Sequence, residues 1–104
     1  MKTKKGSRTV VLSQEQFHSI ARALADPRRM AILEQVGGAE TLACSALKEH
    51  ESISPATISH HLKELCEAGL IDMERQGRSA CLSLRRAVFE AYVQRLASLS
   101  LPGS

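Results

Sequence analysis

A chain of 104 residues holds one small domain. Hydrophobic residues make up 43% of it, but only Phe17, Phe89 and Tyr92 are aromatic, so the core must be aliphatic and modest. A domain this small gains much from pairing with a second copy. No apolar run approaches the ~18 residues of a membrane span, and the basic N-terminus lacks the apolar block of a signal peptide. Cys44, Cys66 and Cys81 are odd in number and form no CxxC pair. They argue against a disulfide framework and for a reducing, cytoplasmic setting.

The net charge of +3 is concentrated. Four of the fourteen basic residues (Lys2, Lys4, Lys5, Arg8) lie in the first eight positions, leaving ten basic against eleven acidic elsewhere. An electrostatic case for nucleic acid must therefore rest on where charges sit, not on the total.

Residues 1–12 read as a basic flexible arm and residues 13–100 as the folded domain. Ser13-Gln14-Glu15-Gln16 has capping-box form and opens a first helix with Phe17, Ile20, Ala21 and Leu24 on its apolar face. Asp26-Pro27 is a cap followed by a first-position proline, opening a second helix that runs to Val36 and stops at Gly37-Gly38. Residues 41–50 read as a third helix, with Leu42, Ala46 and Leu47 inward. A fourth begins at Ser54-Pro55, with Ile53 and Ile58 placed as a hydrophobic staple, and ends at Gly69.

Along that fourth helix Ile58, Leu62 and Leu65 form a buried stripe, with His61 beside it at the edge of the core. The other face carries Ala56, Thr57, Ser59, His60 and Lys63, all small, hydrogen-bonding or basic. Glu64 and Glu67 come only late. A helix selected for solubility alone mixes Glu with Lys, whereas a groove-reading helix presents an acid-free N-terminal half to base edges.

Two short strand-like runs, residues 70–75 and 79–84, are joined through Gln76-Gly77 and edged by Arg75 and Arg78. A last helix starts near Arg86, with Val88, Ala91, Tyr92, Leu96 and Leu99 as a long apolar stripe. Phe17, Ile20 and Leu24 of the first helix, with Val88, Tyr92, Leu96 and Leu99 of the last, are the expected dimer interface. The order α-α-α-α-β-β-α describes a mainly α winged helix-turn-helix. No nucleophile has a base at catalytic spacing, no Gly-rich phosphate loop exists, and no carboxylate pair stands apart, so an enzyme is not expected.

ALADPRRMAIL (residues 23–33), ISPATISHHLKELCEAGLI (residues 53–71) and the wing ERQGR (residues 74–78) carry a resemblance to the ArsR/SmtB family of bacterial metal- and stress-responsive repressors. The resemblance spans residues 15–98. It implies a homodimer, paired through the first and last helices, that binds a palindromic double-stranded DNA operator and is released by an inducer. On the matching positions, Ser59 and His60 are the expected base or phosphate contacts. Ala56 and Thr57 enter the groove, with Ser54 and Lys63 beside them. Arg75, Gln76 and Arg78 form the wing tip.

The family's arsenite sensors carry a C-V-C pair where this chain has TLACSALKEH, with Cys44 alone. The Asp and His ligands of its zinc sensors, on the last helix, are missing here. No cofactor is expected, and a metal site has no full ligand set. Cys44 is either an inducer thiol, for a metalloid, an electrophile or an oxidant, or a small buried residue. Cys66 and Cys81 are expected near one another as the hairpin folds back, with ordinary packing as the default. His18 and His50 are expected on solvated faces. Arg85 and Arg86 are either phosphate contacts or surface charges. The alternative function is a winged helix used for protein interaction or dimerisation, which calls for acids or large apolar groups on the fourth helix's open face.

Overall fold

The computed structural model describes residues 10–49 and 54–102. The elements are α1 (Gln14–Leu24), α2 (Pro27–Gly37), β1 (Leu42–Ala43), a 3-10 segment (Cys44–Glu49), α3 (Pro55–Glu67), β2 (Ile71–Gln76), β3 (Ser79–Leu84), α4 (Arg86–Ala97) and a closing 3-10 turn (Ser98–Ser100). Residues 1–9 of the basic arm, Ile53 of the staple and His50 lie outside the described residues. Val10 and Leu12, at the arm's end, pack against the core.

The helix starts follow from their caps. Ser13 Oγ accepts from the Gln16 amide at 3.0 Å, Asp26 accepts from the amides of Arg28 and Arg29, and Ser54 Oγ accepts from the Thr57 amide at 3.2 Å. The Gln16 side chain does not return to its own cap. Its Nε2 donates to the Ala68 carbonyl at the end of α3. That helix closes in a Schellman arrangement, with the Gly69 amide donating to Cys66 O and the Leu70 amide to Leu65 O. The geometry needs a left-handed residue, and Gly69 has φ +84.

The sheet order is β1-β3-β2, all antiparallel, with Leu42 opposite Leu82 and Ile71 opposite Leu84. Gly77 and Arg78 form the hairpin turn, and Gln76 belongs to β2. Positive φ at Gly77 alone fits a type II′ turn, whose twist suits a hairpin. Ile20, Ile32, Val36, Leu47, Leu65, Leu70 and Leu82 fill the centre and tie all layers to one core.

Three expectations are corrected. Where a third helix is expected over residues 41–50, the described residues form a two-residue strand, Leu42–Ala43, followed by a 3-10 segment, Cys44–Glu49. Leu42 does turn inward, but by pairing with the open edge of β3, a long-range gain that local spacing does not reveal. On α1, Ala23 is buried and Ala21 exposed.

The third correction concerns the dimer interface. Ile20 (0% exposed), Val88 (6%) and Tyr92 (8%) belong to the protomer's own core and offer no surface to a partner. Phe17 is half-buried against Tyr92, with ring centroids 5.2 Å apart, and Leu24 also packs inward. Of the seven residues, Leu96 (41%) and Leu99 (82%) stay open, joined by Val93 and Leu101. The difference is rotational: the α4 stripe is wide enough to supply both the core and a separate outer edge.

Candidate nucleic-acid interface

The outer face of α3 carries the groups that sequence spacing places there. Ala56, Ser59, His60 and Lys63 are exposed, while Ile58, Leu62 and Leu65 pack inward. Thirteen residues give this helix a length of about 20 Å, enough to cross a major groove about 12 Å wide. Ser54 and Thr57 are tied to each other, their hydroxyl oxygens 2.9 Å apart, so both serve the cap while remaining at the helix tip. His60 Nε2 lies 3.7 Å from Glu64 Oε2, and Lys63 Nζ lies 3.2 Å from Glu67 Oε2. Read only as late in the helix, these two acids look uninvolved. Their i,i+4 spacing is the signal that they reach back.

The hairpin stands beside α3. A cleft of about 790 Å3 between them is lined by Ser59 and Lys63 of the helix, Arg75 of β2 and Arg78 of the turn, along with Glu67, Asp72, Cys44 and Cys66. Two polar helix residues and two wing cations therefore border one concavity. Gln76 is exposed at the wing tip but is not part of that lining. Its Oε1 accepts from the Cys81 thiol at 3.9 Å, on the other side of the hairpin, as strand alternation requires.

The cysteines group differently from the expectation that Cys66 and Cys81 lie near one another. Cys44 and Cys66 both line the cleft, while Cys81 does not and donates to Gln76 Oε1. All three are free thiols. Burial, then the nearby Asp72 and Glu67 carboxylates, raise the Cys66 thiol above its ordinary 9.0, which keeps it protonated at neutral pH. Among the described residues no group of three or more His, Cys, Asp or Glu is placed to hold a metal ion.

Arg86 is accounted for by the fold. Its Nη2 donates to Gly37 O and Ala39 O, capping the carbonyl end of α2. Arg85 lies 3.9 Å from Asp72. His18 is exposed, 3.3 Å from the Gln14 amide nitrogen. His61, expected at the core's edge, lies inside it. No helix among the described residues is long and apolar enough to cross a membrane.

A helix seated on a core, an acid-poor outer face and a basic hairpin alongside define a winged helix-turn-helix. A helix-turn-helix domain family matches residues 24–74. The arsenical resistance operon repressor of Staphylococcus aureus is 31% identical over 85 residues, covering 82% of this chain and 81% of that protein. An ArsR-like transcriptional regulator from Rhodococcus sp. RHA1 is 26% identical with a TM-score of 0.70, over 82% of this chain and 79% of that one. The fold is also that of a homodimeric winged helix-turn-helix domain from Mycobacterium bovis, at 23% identity and TM-score 0.65, over 92% and 96%. The chain belongs to the ArsR family of winged helix-turn-helix transcriptional regulators. It is a DNA-binding regulator and not an enzyme.

Proposed function

We propose that two copies of this chain form a cytoplasmic homodimeric repressor that binds a palindromic operator. The observation that carries this reading is the shared cleft between α3 and the wing of a family member, which Ser59, Lys63, Arg75 and Arg78 line together with Glu67 and Asp72. Ser54, Ala56, Thr57, Ser59, His60 and Lys63 enter successive major grooves about one helical turn apart, roughly 34 Å in the dimer. Arg75, Gln76 and Arg78 follow the flanking backbone. The dimer forms through the open apolar edge of α4 and its continuation, Val93, Leu96, Leu99 and Leu101. The Mycobacterium bovis domain that shares this fold is homodimeric.

Release takes a thiol-directed inducer, a metalloid, electrophile or oxidant acting at Cys44, which opens onto the same cleft as the DNA-facing residues. A ligand there shifts the dimer by its differential affinity for the free and operator-bound geometries. Operator affinity measured by fluorescence anisotropy, before and after blocking the thiols with a small alkylating agent, tests this. A large loss on blocking, abolished by Cys44→Ser, supports a thiol inducer. Unchanged affinity removes it and leaves a non-thiol ligand or constitutive repression.

A further inference from the structure

His61 sits on the recognition helix but points away from the DNA face, and only 5% of it is exposed. Its Nδ1 is 3.4 Å from Arg29 Nη1 on α2. A guanidinium has donors only, so Nδ1 must be the lone-pair nitrogen and the ring proton sits on Nε2. Nε2 is buried with no hydrogen-bond partner among the described residues. The imidazole is thus held through a contact that exists only while the ring is neutral.

Arg29 is not free to withdraw. Its Nε donates to Ala23 O at 2.7 Å and its Nη2 to Arg22 O at 3.3 Å, anchoring it to the end of α1. A second proton on the ring would remove the Nδ1 acceptor and set a cation against this fixed guanidinium. The charged and titratable groups facing the ring are Asp26, the cap of α2, Arg28 and Arg29 of α2, and His60 of α3. Asp26 favours the imidazolium and opposes the others; its Oδ1 accepts from the amides of Arg28 and Arg29.

We propose that His61 is a proton-operated latch: the seat of the recognition helix on α1 and α2 requires its neutral imidazole, and mild acid unseats α3 and weakens DNA binding. The DNA consequence rests on the reading of α3 as the recognition helix; the effect on stability does not. Burial, together with Arg29, His60 and Arg28, holds the ring below its ordinary 6.5, against Asp26. The unfolded chain therefore binds this proton more readily. The latch's contribution is whole above 6.5 and is lost as pH falls through the lowered folded-state value. Stability read without DNA isolates the latch from any direct effect of pH on DNA contacts.

The test is thermal unfolding of the DNA-free full chain at about pH 7.5 and pH 5.5, for the wild type and His61→Leu, with NMR titration of the His61 ring in the wild type. The expected result is a wild-type Tm lower by about 4 °C or more at the acid pH, a fall that the variant lacks, and a ring midpoint below 6.5. An equal fall in both proteins, or a midpoint at or above 6.5, overturns the latch. The ring titration decides alone if the variant does not fold. Operator affinity on the same samples should drop more in the wild type than in the variant. Failure to bind operator at pH 7.5 would fault the DNA reading, while the Tm and ring data still judge the latch.

Discussion

His60 and Lys63 each lean toward an acid one turn further along α3. Exposed pairs of this kind are worth only about 0.3–0.5 kcal/mol, so either side chain is released cheaply to a base edge or phosphate. His60→Ala should cost operator binding about 1–3 kcal/mol and relax sequence preference; anisotropy on operator and scrambled duplexes reads both. Arg78, at the wing turn, has no such acid pairing among the ion pairs of the described residues. Arg78→Ala should weaken all duplexes alike and make the salt slope shallower by about 1 per phosphate that the guanidinium neutralises. A selective loss would put Arg78 on a base instead.

Elements defined by local chemistry are legible in the sequence. Ser13, Asp26 and Ser54 are caps whose side chains reach only two or three residues, and Gly69 and Gly77 mark the two positive-φ positions. Residues 41–50 escape a local reading because Leu42 is placed by Leu82, forty residues away. The wing's place beside α3 follows from the family pattern, but its cleft, lined by Cys44 and Cys66 and not by Cys81, depends on strand facing and helix rotation together. The Arg29–His61 contact links α2 to α3 and has no signature in spacing. Gly69→Ala tests the α3 closure. A Cβ there meets Gln16 Nε2 at 2.5 Å, a flexible group that can yield, but φ +84 remains strained. Stability should fall by about 1–2 kcal/mol in chemical denaturation. Gly77→Ala meets nothing within 4 Å, so backbone strain alone should set its cost.

For the whole molecule, the apolar stripe of α4 divides between two tasks. Val88 and Tyr92 close the protomer, while Val93, Leu96, Leu99 and Leu101 remain outside. Leu96→Asp should therefore leave the fold intact and yield monomers in sedimentation, with operator affinity sharply reduced; a persistent dimer would move the interface elsewhere. The folded part has no basic excess, so DNA binding must come from the paired placement of Lys63, Arg75 and Arg78. The most direct measurement is operator affinity across a salt series. Six phosphates neutralised per dimer predict a log–log slope of about −5, together with a clear preference for operator over scrambled DNA. A slope near zero, or equal affinity for both duplexes, would contradict the account.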